Sequence, residues 1–315
     1  MTSSWGSAGL LVARRIGEGT VVLTAVSLLT FLLLSLAAGD AATAIVLKRD
    51  GVVTADAVAA MRADLGLDLP GPVRYLDGLW AALQGDLGVS LRTGREVADE
   101  VAARIGPTAV LATAGASTAV VLGLALGVGG ALTDRRLVTV PVRVLTLTVL
   151  SLPSFALAYL GVLIVALRLD LVPTQGLAGW SSLVLPALVI GLPLAATIAR
   201  LTEARLRTTM TEPYVTTARA RGLSHIRCVL TQALPNAAVP LLVVVGNVVG
   251  YAVAGTLVAE TVFGWPGLGD YLVRALQFRD WYPLQAAVLL IAAAAVAVRG
   301  VAGSLAALLD PRAAR

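Results

Sequence analysis

Residues that commonly carry catalysis are scarce in this 315-residue chain. It holds one histidine, His225, and one cysteine, Cys228. Two such ligands are too few for a structural zinc site, no His-Glu-x-x-His sequence occurs, and one histidine in an arginine-rich segment does not complete a Ser-His-Asp set. A phosphate loop is also absent, because the only lysine, Lys48, lacks the glycines that precede the lysine of that motif. The sequence predicts no catalytic centre and no metal site.

Polar residues inside apolar segments offer a different chemistry, because polar groups are costly in lipid and usually line a pathway or a protein contact. The candidates for such a pathway are Ser151, Pro153, Ser154, Asn247 and Glu260. Pro153 frees a backbone carbonyl in mid-segment, which is tolerated beside a wet cavity; a plain packing kink is the equal alternative. For Glu260, the alternative is an ion pair with Arg274 or Arg279. No series of carboxylates typical of proton-coupled carriers is present.

The composition indicates which solvent surrounds these residues. Hydrophobic residues make up 57% of the chain and charged residues only 14%, which is too little charge to cover a soluble domain of this length. The net charge is +5, but the arginines flank apolar segments instead of forming one basic stripe. They therefore indicate membrane topology and not nucleic-acid binding.

Six apolar segments are long enough to cross a bilayer as helices, which takes about 20 residues. They lie at 20–38, 108–132, 138–167, 183–198, 239–259 and 284–301. The first is longer than a signal-peptide core, so we expect it to be retained. The third is too long for one straight helix and carries Pro153 near its middle. Residues 39–105 are predicted to form a water-exposed helical insert, with a helix start at Thr54 and a break at 70–72.

The arginines predict the orientation, because cytoplasmic loops carry the positive excess. Segment 200–227 has six arginines against two acidic residues. With six spans, this segment falls on the same side as the arginine pairs at 14–15 and 135–136 and the tail with Arg312 and Arg315. The insert, with ten acidic and seven basic residues, falls on the other side. Both termini are therefore predicted to be cytoplasmic.

The cytoplasmic loop 203–235 carries clear helix boundary signals. Thr211 is predicted to cap a helix whose first turn contains Pro213. Gly222 is placed to end this helix in a left-handed conformation. Ser224 can cap a second short helix, which Pro235 is predicted to stop.

One face of the first loop helix is suited to a close contact. Tyr214, Ala218 and Gly222 lie one turn apart, so small side chains beside a tyrosine would let another surface approach. Arg219 and Arg221 can reach acidic groups on a partner. The equal alternative is an interfacial helix lying on anionic lipid.

The loop resembles the EAA motif of bacterial ABC importer permeases, in which a glycine follows the E-A-A triplet and a Leu-Pro pair comes later. With Gly222 aligned, the triplet falls at 216–218 and the pair at Leu234 and Pro235, so the glutamate and first alanine are absent here. Segment 214–223 is closer to the form found in dipeptide, oligopeptide and nickel permeases. The resemblance assigns ATPase docking to Tyr214, Thr217, Ala218, Arg219, Ala220, Arg221, Gly222, Leu223, Leu234 and Pro235.

Other stretches resemble the same family in the same order along the chain. They are 260–269 with Arg279 and Asp280, 151–155, 65–68, 85–88 and 309–312. Segment 39–41 departs from the family, in which proline often follows the aspartate. The resemblance implies an all-α membrane protein with six transmembrane helices, an extracytoplasmic helical insert and a cytoplasmic coupling-helix loop between spans four and five. Its regions would be 1–38 with the first span, the insert 39–105, the permease core 106–310 and a cytoplasmic tail 311–315.

The resemblance also implies a function, that of one permease subunit of an ATP-driven importer in the bacterial inner membrane. A second homologous permease would form the other half of the pathway, and an extracytoplasmic binding protein would deliver the cargo. No cofactor is implied in this chain, because two partner ABC ATPases would bind ATP and Mg²⁺. Di- and oligopeptides are the favoured cargo, with nickel or a metal chelate as the alternative. A stand-alone secondary transporter, which would show inverted repeats or ion-binding broken helices, and a membrane scaffold are the other classes.

Overall fold

A computed structural model describes residues 4–36, 41–50, 52–64, 68–133, 135–174, 176, 179–278 and 280–309. Within these ranges the chain is helical, with one isolated β-bridge between Val89 and Glu96. The helices are α1 (Ser4–Leu36), α2 (Ala41–Asp50), α3 (Ala55–Asp64), α4 (Gly71–Leu83), α5 (Val97–Leu132), α6 (Arg136–Ser151), α7 (Ser154–Gly161), α8 (Trp180–Thr209), α9 (Pro213–Ala220), α10 (His225–Cys228), α11 (Leu234–Phe263), α12 (Leu268–Gln277) and α13 (Trp281–Leu309). Two π-helical segments, Val162–Arg168 and Val229–Ala233, follow α7 and α10. The predicted motif positions at 39–40, 65–67, 279 and 310–315 lie outside the described residues.

Among the described residues, four helices are long and apolar enough to cross a membrane. These segments are Val97–Leu132, Trp180–Thr209, Pro240–Phe263 and Trp281–Val301. The predicted third span is broken near Pro153, where Thr139–Ser151 and Ser154–Arg168 meet at an angle of 109°; counted as one span, this pair makes five. A shorter apolar helix, Gly17–Leu33, overlaps the predicted first span. The all-α fold is confirmed.

The core of the fold is the pairing of α5 with α8 along a row of glycines, which we call the glycine seam: Gly115, Gly123 and Gly127 on α5 and Gly191 on α8. These residues leave no room for a side chain, since a methyl group at Gly115 would lie 2.6 Å from Ile190 Cγ2, and one at Gly191 would lie 2.7 Å from Thr118 Cβ. The three α5 glycines are spaced by multiples of four residues, so they share one helix face. In a membrane, such small residues let helix backbones approach closely and so gain packing energy.

The first part of the insert forms as the boundary signals predicted. The hydroxyl of Thr54 accepts a hydrogen bond from the backbone N–H of Ala57 (3.3 Å) at the start of α3, and α4 begins at the predicted break, directly after Pro70. The insert then turns back to the membrane helices at a buried carboxylate, Asp280. This carboxylate accepts hydrogen bonds from the Ser90 hydroxyl (2.6 Å) and from the backbone N–H groups of residues 91 and 92 (both 3.0 Å).

We expect Asp280→Asn to loosen the insert without disturbing the membrane helices. The amide would place an N–H₂ group against donors that now bind a carboxylate, at a cost of about 1–3 kcal/mol. Limited proteolysis in detergent should then cut within residues 84–96 several times faster than in the wild-type chain. Asp77→Asn, at an exposed position on α4, is the matched control. Equal cutting of Asp280→Asn and the control would contradict this role.

Candidate functional site

The first helix of the arginine-rich loop (203–235), α9, begins one residue later than the sequence predicted. Glu212, and not Thr211, is the N-cap residue of α9, with Pro213 at the first helical position. The hydroxyl of Thr211 instead donates to the carbonyl of Thr208 (2.7 Å), so it completes the turn that ends α8. Proline with its fixed φ occupies the first position well, because its missing N–H would have no partner there.

Gly222 ends α9 as predicted, with φ at +88°. The N–H of Leu223 reaches the carbonyl of Ala218 (3.2 Å), and the N–H of Gly222 reaches that of Arg219 (2.9 Å). These two bonds form a Schellman motif, which requires a left-handed residue at the position of Gly222. The chain therefore leaves α9 along a defined path and returns toward the membrane.

The predicted stop of the second loop helix at Pro235 is wrong. The hydroxyl of Ser224 caps α10 as predicted, accepting from the N–H of Arg227 (3.4 Å). The helix then passes through the π segment Val229–Ala233 into α11, which has Pro235 in its first turn. Wider π turns shift the hydrogen-bond pattern by one residue, so a residue without an N–H can follow them. The loop is thus joined rigidly to a membrane-spanning helix.

A small apolar cluster holds the loop helices on the ends of α5 and α8. Val215, Cys228 and Leu206 have no solvent exposure and lie at its centre. Three of the predicted docking residues, Ala218, Leu223 and Leu234, are half-buried and pack against this cluster. The predicted docking residues with exposed side chains or backbone are Tyr214, Thr217, Arg219, Ala220, Arg221, Gly222 and Pro235.

Two polar contacts fasten the loop to the end of α5. Arg207 donates to the carbonyl of Gly130 (2.9 Å) and to the carboxylate of Glu203 (2.9 Å). The ring of His225 lies between two partners: Nε2 is 3.0 Å from the carbonyl oxygen of Ala131, and Nδ1 is 2.6 Å from the guanidinium of Arg219. Since a guanidinium only donates, Nδ1 accepts and Nε2 carries the proton. Glu203 and Arg207 were not among the predicted site residues, although their spacing of four on a helix is a recognisable signal.

A second polar group, the Glu260 cluster, lies at the other end of α5. It consists of Glu260, Thr108 and the backbone of residues 268–270. The Glu260 carboxylate, which has no solvent exposure, accepts from the Thr108 hydroxyl (2.7 Å) and from the N–H groups of Gly269 (2.5 Å) and Asp270 (3.2 Å). Thr108 in turn accepts from the N–H of Leu268 (2.8 Å). The alternative prediction of an ion pair between Glu260 and Arg274 is wrong, because Arg274 forms its ion pair with Asp270 (2.8 Å).

The glycines of segment 260–269 are needed by this geometry. Gly264 ends α11 in a left-handed conformation with φ at +60°. A methyl group at Gly269 would lie 2.7 Å from the backbone Cα of Leu257, so the chain folds directly onto α11. Trp265 fixes the turn to α5 by donating from Nε1 to the carbonyl of Pro107 (3.0 Å). The segment thus ties α11 and α12 to α5.

Tyr271 extends this attachment by one turn of α12. Its hydroxyl donates to Glu100 (2.6 Å), and the guanidinium of Arg104 lies 4.2 Å from the ring centroid. Burial and the bond to Glu100 raise the pKa of Tyr271 well above its usual value, so it acts as a hydrogen-bond donor. No sequence signal indicated this group, because Tyr271 lies 171 residues from Glu100.

The predicted pathway residues fall in three places. Pro153 lies at the break between α6 and α7, with exposed serines on either side; the hydroxyl of Ser151 donates to the carbonyl of Leu147 (2.8 Å). Asn247 lies exposed on α11. Glu260 is separate from both, since its carboxylate is enclosed by the contacts described above.

Comparison with known proteins gives the family. Residues 119–315 match the model of the binding-protein-dependent transport system inner membrane component. This chain belongs to that family. The putative peptide permease protein of Brucella suis biovar 1 (strain 1330) is 36% identical over 310 residues, which are 95% of this chain and 97% of that protein. The glutathione transport system permease protein GsiC of Salmonella choleraesuis (strain SC-B67) is 35% identical over 286 residues, 91% of this chain and 92% of that protein.

Membership confirms the resemblance to ABC importer permeases seen in the loop and in segment 260–269. The chain is therefore a multi-pass component of an inner-membrane transport system, and permeases of this family are not themselves enzymes. Within the described residues, no group of three His, Cys, Asp or Glu side chains is arranged to hold a metal ion.

Proposed function

We propose that this permease forms half of the translocation pathway of an ATP-driven importer for peptides. The observation that carries the proposal is the arginine-rich loop, whose exposed face is cationic and whose buried face is fastened to three membrane helices. The names of the two relatives, a peptide permease and a glutathione permease, support a small peptide as cargo. A nickel ion or metal chelate is the alternative.

The proposed topology has six spans with both termini in the cytoplasm. The spans are α1, α5, the bent α6–α7 pair, α8, α11 and α13. Helices α2–α4 and α12 would lie outside, and α9 and α10 inside, as the arginine distribution requires. A second homologous permease would complete the pathway, and an extracytoplasmic binding protein would deliver the peptide to the α12 side.

The proposed mechanism uses the loop as the receiver of ATPase movement. Two partner ATPases would bind ATP and Mg²⁺ and close on the exposed face around Tyr214 and Arg221. Because α10 continues into α11, and Arg207 and His225 bind the carbonyls of α5, displacement of the loop would move these helices together. Membrane lipid would contact the outward-facing sides of the spans.

Co-purification tests this proposal directly. The chain, expressed with its neighbouring permease, ATPase and binding-protein subunits, should emerge from detergent as one complex whose ATP hydrolysis rises when peptide-loaded binding protein is added. Purification of the chain alone, with uptake unchanged after its deletion, would favour a stand-alone carrier or a scaffold. Calorimetry of the binding protein with peptides and with Ni²⁺ decides the cargo.

Gly222→Val should weaken the coupling of this loop. A β-branched residue in a left-handed position costs on the order of 1–2 kcal/mol, and nothing lies within 4 Å of the added carbon, so the effect is one of backbone strain alone. We expect substrate-stimulated ATP hydrolysis to fall several-fold while membrane insertion is retained. Gly222→Asn, which tolerates this conformation, is the control; identical stimulation in Gly222→Val and wild type would contradict the assignment.

A further inference from the structure

One face of α11 is exposed along the middle of its membrane span. Val243 (45% exposed), Asn247 and Tyr251 (58% exposed) follow one another at intervals of four residues, and Ala254 continues the same face. We call these four residues the α11 stripe. They lie within the apolar segment Pro240–Phe263, so an amide and a phenol are presented at membrane depth.

Lipid is a poor partner for this stripe. The carboxamide of Asn247 has donors and acceptors that hydrocarbon cannot satisfy, and an unsatisfied polar group there costs several kcal/mol. Such residues in membrane helices usually face a water-filled cavity or the interior of the bundle. The stripe is therefore suited to line the pathway, and its two polar side chains supply hydrogen bonds.

Arg299 brings a positive charge to the edge of the same stripe. It lies on α13, is exposed, and shows no hydrogen bond or ion pair with any described residue. Its side chain crosses α11 at Gly250, where a methyl group would lie 2.5 Å from Arg299 Cγ and 3.2 Å from Cδ. Gly250 is next to Tyr251 in sequence and about one turn from Asn247, so the arginine stem passes along the flank of the stripe.

On α11 this contact lies near the middle of the span Pro240–Phe263, and on α13 Arg299 lies two residues before the end of the span Trp281–Val301. Gly250 is about 15 Å from Pro240 and about 20 Å from Phe263 along the helix axis. An arginine near the end of a span lays its apolar stem along protein and keeps its charged head in water, and the absence of a side chain on Gly250 provides the groove in which the stem of Arg299 lies.

We infer that Arg299, Asn247 and Tyr251 form a recognition site for the carboxylate of a peptide in transit. A guanidinium binds a carboxylate through two parallel hydrogen bonds, and the Asn247 amide and the Tyr251 hydroxyl can donate to the same group. The inference rests on the proposed function, and it adds that the permease, beyond its binding protein, selects cargo with a free carboxylate. A lipid phosphate has the same chemistry, so the test separates the two sources.

The test compares uptake of one set of alanine-rich tripeptides, prepared as free acids and as C-terminal amides, by the whole complex in proteoliposomes. Arg299→Gln should lower uptake of the free acids about tenfold or more, the order expected for a lost charge-assisted hydrogen bond, and leave the amides nearly unchanged. Gly250→Ala keeps the charge but displaces the stem, so it should show a smaller loss of the same kind. Arg136→Gln, an exposed arginine at the start of α6, should match wild type.

Each other outcome overturns the inference. Equal loss for acids and amides in both Arg299→Gln and Gly250→Ala would mean a structural role. A loss seen only in vesicles with anionic lipid, and absent in phosphatidylcholine alone, would mean a headgroup site. If the wild-type complex imports neither peptide set, the proposed function itself fails, and that result is read independently of any Arg299 variant.

Discussion

Glu260→Gln should destabilise the permease more than any other single polar change in the segment 260–280. Its carboxylate accepts from Thr108 Oγ1 and from the N–H groups of Gly269 and Asp270, and its side chain is completely enclosed. An amide offers only one acceptor oxygen; when that oxygen keeps the N–H groups of Gly269 and Asp270, its N–H₂ group faces Thr108 Oγ1, and the Thr108 O–H loses its acceptor. A buried mismatch of this kind costs about 1–3 kcal/mol for each unsatisfied group.

The measurement is the temperature at which half of the detergent-solubilised chain is lost from the monodisperse peak after heating. For Glu260→Gln we expect a fall of roughly 2–10 °C. Thr108→Val should produce a similar fall, because it removes the hydroxyl that both donates to Glu260 and accepts from Leu268. The effect of combining the two substitutions should be clearly smaller than the sum, since both remove the same bond.

Glu212→Gln is the matched control for this prediction. Glu212 is an exposed N-cap residue whose side chain makes no capping bond, so its substitution should leave the midpoint within about 1 °C. A Glu260→Gln variant as stable as this control would show that the carboxylate is not what joins α11 and α12 to α5.

Sequence reasoning identified this region but assigned it another role. Segment 260–269 was recognisable as a family signature, and Glu260 stood out as an acidic residue at the end of an apolar span. Whether the Glu260 carboxylate contacts a transported solute or an arginine depends on the path of the backbone at residues 268–270. That turn depends on Gly264 and Gly269 and on a threonine 152 positions away, a relation that helical periodicity does not contain.

The loop shows the same division between local and distant information. Gly222 and Ser224 were predicted correctly because a left-handed C-terminus and an N-cap depend on a few neighbouring residues. The stop at Pro235 was wrong because proline is tolerated in the first turn of a helix, and the π segment upstream had no sequence signal. Local sequence signals were enough to predict the end of α9 and the start of α10. How the second helix continues depends on tertiary packing.

The two polar sites are connected by one helix pair. From Thr108 to Gly130, α5 runs about 33 Å at a rise of about 1.5 Å per residue. It carries a bond of the Glu260 cluster at one end and the carbonyls bound by Arg207 and His225 at the other. Along this length the glycine seam keeps α8 in close contact. A rigid pair of this kind can transmit a displacement of the loop to the opposite end of the permease.

Gly127→Ala should separate this pair and is the second large effect expected. The added methyl group would lie 2.7 Å from the backbone carbonyl oxygen of Ala199 and 2.6 Å from Thr202 Cβ. A backbone atom cannot rotate away, so α8 must move, and overpacking of this kind typically costs about 1–3 kcal/mol. We expect a lower midpoint of thermal unfolding and, in the assembled importer, weaker stimulation of ATP hydrolysis by loaded binding protein.

Gly129→Ala provides a control two residues along the same helix. A methyl group at Gly129 meets nothing within 4 Å, and alanine favours a helix over glycine by about 0.5–1 kcal/mol, so this variant should be as stable as wild type or slightly more so. Both variants add one methyl group to α5, so the difference between their midpoints reports the contact with α8 alone. If Gly127→Ala were as stable and as well coupled as Gly129→Ala, close contact at the glycine seam would not be what links the loop to the Glu260 cluster.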